Sequence, residues 1–365
     1  MKKIYLFIFA MLSIGQGFAQ AEFNTGTMFV NVNTYGRVRL YTQDEVIHLQ
    51  RASILVGTSS TQVFDYNNDA EALDPTVLVA APTWGDFEIY GSYDNTYSNL
   101  PPDVIVKLNA YGWTNKSFTV LKFNVKNDES AAITASVGLD IIPQLAEEYG
   151  FDTVTYNATE GVVRFHRGAG VNMGMKLLST SMSSLLSFEW FEDYFTDANY
   201  WGWMNAGSLQ PRYISTTADG PVTITSQAPV VLNPGESVDV FYAFALGANE
   251  QAMLAGLTEA SQKYDDLFAG LGDINANPNA VRLGKNFPNP FNGSTTISYN
   301  LPSSGLVSLK VFDQLGNEVV VLVQEEQSAG VHRMEFDAAK LAPGVYYYTL
   351  IFDNSRITNK MIITE

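Results

Sequence analysis

Apolar and polar residues alternate with a period of two along most of this chain, and each run is closed by Gly, Pro, Asn or Asp. That period places every second side chain on one face, as in a strand with one side against a core. Runs of this kind cover Thr27–Val32, Val104–Leu108, Ser117–Val125, Ala132–Leu139, Gly161–Phe165, Val222–Thr225 and Val238–Leu246. One stretch changes period: Asn249–Phe268 spaces Met253, Leu254, Leu257, Ala260 and Tyr264 along a single helical face and meets a stop at Gly270. After it the strand pattern resumes at Thr295–Tyr299, Leu306–Phe312, Glu318–Val323, Gly330–Phe336, Gly344–Phe352 and Ile357–Ile363. The pattern predicts an all-β protein, with an N-terminal β-sandwich ending in one helix and then a small immunoglobulin-like β-sandwich. The segment Ser187–Asn205, aromatic and acidic together, fits either a long loop or a short helix.

The chain opens with Met1, Lys2 and Lys3, an apolar run from Ile4 to Ile14, and small residues at Gly17 and Ala19. A charged start, a short greasy middle and a small-residue site make a signal peptide of 1–19, with Gln20 or Ala21 as first mature residue. The run is too short to span a bilayer and no later stretch replaces it, so no transmembrane segment is expected. Residues 20–270 then form one expected unit and 286–365 another. Between them 271–285 turns to Gly, Asn, Asp and Pro, a composition that cannot bury a core and reads as a linker. The sequence contains no cysteine, so neither disulfides nor a lipidated cysteine contribute. Residues 21–280 hold 30 acidic and 12 basic side chains, a balance that repels polyanions and excludes nucleic acid as a partner.

The last part of the chain carries a recognisable series. Asn286, Phe287, Pro288, Asn289, Pro290, Phe291 and Asn292 come first, then Ser294–Ile297, Val311–Asp313 and Leu315–Gly316. Leu341 to Tyr346, including Pro343, Gly344 and Tyr346, and the closing Lys360–Ile363 complete it. In this order they resemble the type A C-terminal sorting domain of type IX secretion cargo. The resemblance implies passage through the Sec translocon, removal of the leader by signal peptidase, and recognition by an outer-membrane type IX translocon and its sortase in a Gram-negative bacterium. Delivery would be via the periplasm to the outer surface or the medium. The N-terminal unit is similar, in Gly36–Val38, Phe118–Asn127, Val137–Asp140 and Leu232–Ser237, to secreted β-sandwich proteins of Bacteroidota-like bacteria, a likeness that implies no reaction.

Chemistry in residues 20–270 is sparse. The chain has three histidines, His48, His166 and His332, and lacks Gly-x-Ser-x-Gly and His-Glu-x-x-His. Carboxylates offer more: Glu189, Glu192, Asp193 and Asp197 stand among Trp190, Tyr200, Trp201 and Trp203. Flat rings stack on sugars and carboxylates accept from hydroxyls, so this cluster could frame a glycan groove, or its rings could cover a sheet while its acids face water. Asp65, Asn67, Asp69 and Glu71 place oxygens at alternate positions, as a hard cation such as calcium requires, although Ala70 and Thr76 break the helix-loop-helix calcium pattern. The expectation is an exported protein whose N-terminal sandwich is a non-enzymatic binding or structural module for a glycan or envelope ligand. A carbohydrate-binding or glycoside-active extracellular protein using residues 188–203 is the alternative.

Overall fold

The computed structural model describes residues 20–265, 267, 280–286 and 289–364. The expected signal peptide at 1–19, most of the expected linker at 271–285, Phe287 and Pro288 lie outside the described residues. The first strands in chain order are β1 (Gln20–Asn24), β2 (Met28–Asn33), β3 (Val38–Thr42), β4 (Ile47–Ser59), β5 (Gln62–Phe64), β6 (Glu71–Leu78), β7 (Phe87–Asp94), β8 (Val104–Gly112), β9 (Phe118–Asn127) and β10 (Ile133–Pro143). Then come β11 (Thr153–Asn157), β12 (Val162–His166), β13 (Asn172–Leu177), β14 (Met182–Phe188), the helix α1 (Asp197–Met204), β15 (Arg212–Ile214), β16 (Val222–Gln227), β17 (Val230–Leu232), β18 (Ser237–Gly247) and α2 (Glu250–Tyr264). The tail contributes β19 (Arg282–Leu283), β20 (Ser294–Leu301), β21 (Gly305–Phe312), β22 (Glu318–Gln327), β23 (Gly330–Asp337), β24 (Gly344–Phe352) and β25 (Ser355–Ile363).

The larger unit is a pair of antiparallel sheets. One runs β1-β2-β3-β4-β10-β16-β14, with β5 on β4 and β17 on β10; the other runs β15-β11-β12-β13-β18-β9-β8-β7-β6. Alternation decides which residues meet between them. On β4 the odd one out of each pair faces inward, so Ala52, Ile54 and Val56 join Val137, Leu139 and Ile141 of β10 against Val106, Leu108, Phe123 and Phe244 of the other sheet. The intervening Arg51, Ser53 and Leu55 point the opposite way and are buried all the same, because a second layer covers that outer face.

The outer face of the second sheet is covered by α2. Asn249 caps it by accepting from the Ala252 N–H, Glu250 lies in its first turn and Lys263 in its last, as the helix dipole favours. Met253, Leu257 and Ala260 seat on Phe118, Val120, Phe241 and Ala245, the face that the spacing predicts. A Cβ at Gly174 would sit 2.1 Å from Met253 Sδ, so glycine is what lets the helix lie this close. The smaller unit pairs β19-β20-β23 with β22-β21-β24-β25 around Ile297, Tyr299, Leu309, Val311, Tyr348, Leu350 and Met361.

Candidate functional site

In the tail, the segment before β20 is tied to the last strand. Asn289 straddles the β25 backbone: its Nδ2 donates to the Lys360 carbonyl at 3.1 Å and its Oδ1 accepts from the Ile362 N–H at 2.8 Å. Phe291 continues the contact, its N–H donating to Ile362 O at 3.0 Å and its carbonyl accepting from Thr364 N at 2.8 Å, while its ring enters the core. Upstream, Tyr348 Oη donates to Gly284 O at 2.8 Å and accepts from Asn286 N at 2.7 Å, and Asn359 Nδ2 donates to the Leu283 and Gly284 carbonyls. Pro290, Asn292, Pro343 and the Lys360 side chain are exposed, and Tyr346 returns its hydroxyl to Ala342 O at 2.9 Å just past the start of β24 at Gly344. The motif thus closes the fold by bonding one end of the tail to the other.

Over the outer face of the first sheet, residues 189–205 form a lid. At its centre Asp140 Oδ2 accepts from Arg51 Nη2 at 2.5 Å, from Tyr194 Oη at 2.9 Å and from Tyr200 Oη at 2.7 Å. Arg51 Nη2 also meets the Tyr194 hydroxyl, and Arg51 Nη1 donates to Asn67 Oδ1 at 2.7 Å. Burial alone would lower the Arg51 pKa, but Asp140, Tyr194 and Tyr200 outweigh it and raise it; burial, then Asp140, lifts both phenols. The rings close round this centre: Phe188 lies tilted against Trp203 with centroids 4.2 Å apart, and Tyr194 meets Tyr200 edge-on at 6.0 Å. With Leu55, Val63, Met204, Val222 and Ile224 they make a second core.

The candidate residues of the two sequence clusters lie as follows. Tyr200 is fully buried and Trp201 and Trp203 lie half-buried on the lid core, so these rings face the sheet. The physical reason is that Leu55, Val63, Val222 and Ile224 stand on that outer face around the Arg51–Asp140 pair, and these apolar side chains have to be covered. The acids do not converge either: Glu192 and Asp193 face solvent, Asp197 begins α1, and Trp190 is exposed. Glu189 accepts from Thr216 N at 2.7 Å, Ser215 Oγ at 3.0 Å and Thr217 Oγ1 at 2.9 Å; those bonds overcome the opposing effect of burial and lower its pKa. The cation loop is likewise turned inward. Asp65 Oδ1 accepts from the Asn67 and Asn68 amides, Asp69 Oδ2 accepts from Asp65 N, and Glu71 Oε1 accepts from Ala72 N. Burial pushes the Asp65 carboxyl up to about 7. Among the described residues no group of three or more His, Cys, Asp or Glu could hold a metal ion.

Residues 285–364 match the family described as the secretion system C-terminal sorting domain. The tail is a type IX sorting domain. No curated protein matches the sequence. Among solved structures, a polysaccharide lyase is 11% identical with a TM-score of 0.38, over 97% of this chain and 47% of that one. A bacterial glucoamylase complexed with acarbose is 5% identical with a TM-score of 0.49, over 68% and 36%. A putative aldose 1-epimerase from Escherichia coli K12 is 9% identical with a TM-score of 0.38, over 63% and 99%. The chain spans about half the length of the lyase and about a third of that of the glucoamylase. At these scores none of the three specifies a chemistry for this chain.

The sorting domain makes this an exported cargo, bound for the cell surface or the medium and dependent on the type IX machinery. Tyr348 and Asn359, which hold its lead segment, escape a reading of the motif alone because they stand in strands that look like ordinary alternation. Arg51 and Asp140 under the lid escape for a similar reason, although Asp140 is a lone charge inside the apolar run Val137–Ile142 and could have been flagged on that ground.

Proposed function

We propose that residues 20–270 are a non-catalytic binding module and that the sorting domain, with an immunoglobulin-like pair of sheets, carries it out of the cell. In this reading the Sec translocon and signal peptidase handle residues 1–19, and the outer-membrane translocon and sortase handle 286–365. The observation that carries it is the lid: its concentration of rings and acids is anchored on a buried Arg51–Asp140 pair, while its acids point apart. General acid and base work needs two carboxylates facing a common space, about 5–10 Å apart. Glu189, engaged by three groups of one loop, and the outward Glu192 and Asp193 support a structural role instead.

The export half is tested by deleting 286–365 in the source bacterium. Surface or medium delivery is expected to be lost, with the protein retained inside the envelope; unchanged delivery would count against it. For the binding half, the secreted protein incubated with plant and microbial polysaccharides should release no reducing ends. Sustained release would replace the binding reading with an enzymatic one.

A further inference from the structure

We propose that one end of the larger sandwich, built by the loops 145–152, 189–193 and 215–220, binds a neutral polysaccharide by stacking sugar rings on Tyr149, Phe151, Trp190 and Phe191. The inference deepens the binding-module reading and rests on it. Tyr149 is 41% exposed, Phe151 56%, Trp190 41% and Phe191 44%. Among the described residues of the larger unit, Tyr97 is the only other exposed large aromatic. Four of the five exposed large aromatics among the described residues of this unit gather at one end, a concentration that core packing does not require.

The rings stand on a braced frame. Arg167 crosses under the first loop, with Nη1 on Glu148 Oε2 at 2.5 Å, Nη2 on the Glu148 and Gly150 carbonyls, and Nε on Asp152 Oδ1 at 2.9 Å. The Phe151 N–H donates to Thr217 O and to Ser215 Oγ, each at 3.0 Å. The same short stretch, Ser215–Thr217, donates to the Glu189 carboxylate next to Trp190. One node therefore fixes Phe151 and Trp190 relative to each other. Backbones meet there without side chains between: a Cβ at Gly150 would fall 1.9 Å from Thr217 O, and one at Gly220 would fall 2.7 Å from Glu189 Cα. Phe191 is backed by Phe188, Tyr194 and Trp203, with centroids 5.9, 6.2 and 6.3 Å away. Phe151 itself holds φ at 54°, a left-handed conformation that a bulky residue adopts only when its surroundings impose it.

The chemistry between the rings selects the ligand class. Exposed Thr216, Thr217 and Asp219 belong to the loop that braces both ring-bearing segments, so polar groups interrupt the apolar surface. A docked protein favours a continuous desolvated core, whereas a sugar chain alternates apolar ring faces with hydroxyl edges. Glu192, Asp193 and Asp219 nearby, on a unit rich in acid throughout, disfavour an anionic glycan. That acidity is general to the unit and gives no particular pull toward a cationic partner; the rings are what distinguishes this end.

The test is affinity electrophoresis of the full secreted chain through native gels containing xylan, mannan or mixed-linkage β-glucan, with poly-lysine as a cationic arm. At least one neutral polysaccharide should retard the wild type, and the triple variant Tyr149→Ala, Phe151→Ala, Trp190→Ala should bind about tenfold or more weakly. The single variant Trp190→Ala, with a melting curve matching the wild type, should already weaken retardation. Absence of retardation in every gel, equal retardation of the variants, or binding of poly-lysine alone would overturn the inference. Ring-dependent binding accompanied by hydrolysis would instead overturn the non-catalytic reading and leave the binding site standing.

Discussion

Two segments of this chain look alike in sequence, each a dense aromatic and polar motif, and fasten in different ways. The lid at 189–205 is held on its sheet by a charged centre, Arg51 against Asp140, that two tyrosine hydroxyls complete. The clip before β20 is held by neutral bonds, Asn289 and Phe291 against the backbone of residues 360–364. A charged anchor under a lid is unforgiving, because losing one partner strands the other charge in a dry site. Neutral bonds to backbone fail by degrees, since each contributes about 1 kcal/mol net.

The sharpest way to break the contrast is Asp140→Ala. The guanidinium of Arg51 would stay buried without its carboxylate, a loss of about 3–5 kcal/mol. At roughly 2–4 °C per kcal/mol for a unit of this size, the larger sandwich should melt about 10 °C lower. Differential scanning calorimetry of the full chain checks this, and the sorting-domain transition should not move. A drop below about 2 °C would mean that the lid does not depend on the ion pair. Pairing Arg51→Met with Asp140→Leu sharpens the point, because an apolar pair of similar volume removes the stranded charge and should restore part of the loss, the Tyr194 and Tyr200 hydroxyls then lacking the carboxylate.

The same contrast explains what could be read from the sequence. The strands and α2 were legible because their signals are local: alternation for β8, β9, β10 and β18, and the Met253, Leu257, Ala260 stripe with its Asn249 cap for α2. The sorting domain was legible because its landmarks fall in fixed order within about eighty residues. The lid was not, since Tyr194 and Tyr200 find Asp140 from 54 and 60 residues away, and Arg51 from 89. Nothing local separates a ring that stacks on a ligand from one that seats on a sheet. For the same reason Trp190 looked no different from Trp201, yet one is exposed and the other lies over Gly57, where a Cβ would come within 3.1 Å of its ring. The exposed Tyr149 and Phe151 carry no spacing signal at all; they are presented by a loop whose shape depends on Arg167 and Ser215.

A smaller effect tests the clip. Asn289→Ala removes one donor bond to Lys360 O and one acceptor bond from Ile362 N, a loss of about 1–2 kcal/mol from an exposed site that water can partly re-satisfy. At roughly 4–8 °C per kcal/mol for a unit of about eighty residues, the sorting-domain transition should fall by about 5–15 °C while the larger sandwich is unchanged, the mirror image of Asp140→Ala with a smaller loss of free energy. Delivery to the surface should fall with it, because a frayed lead leaves less of the folded domain for the translocon to engage. Full delivery with a lowered transition would show that the translocon tolerates an open clip.

The smallest effect is the dependence on pH, and there too the two units should part. Burial holds Asp65, beside the lid, up to about 7 and Asp152, beneath the 148–151 loop, up to about 6, both well above the ordinary carboxylate near 4. A carboxyl whose folded pKa is raised binds more proton in the folded state, so its contribution is full below about pH 4 and declines as pH rises toward 6 to 7. In the sorting domain Asp313 is shifted the other way by its bonds to Asn317, and its contribution is present above about pH 4 and lost on further acidification. Between pH 7 and pH 5, then, the raised carboxyls should give the larger sandwich a net gain in melting temperature, reduced by His48 and His166, whose burial-lowered pKa values favour the unfolded state as pH falls, while the sorting domain stays level. Relief of general acidic repulsion would push the same way, so Asp65→Asn is the control: Asn keeps an acceptor for the Asn67 and Asn68 amides but has no titration, and it should flatten much of the gain. A larger sandwich that instead loses stability from pH 7 to pH 5, or an Asp65→Asn variant with the full wild-type slope, would remove Asp65 as the cause.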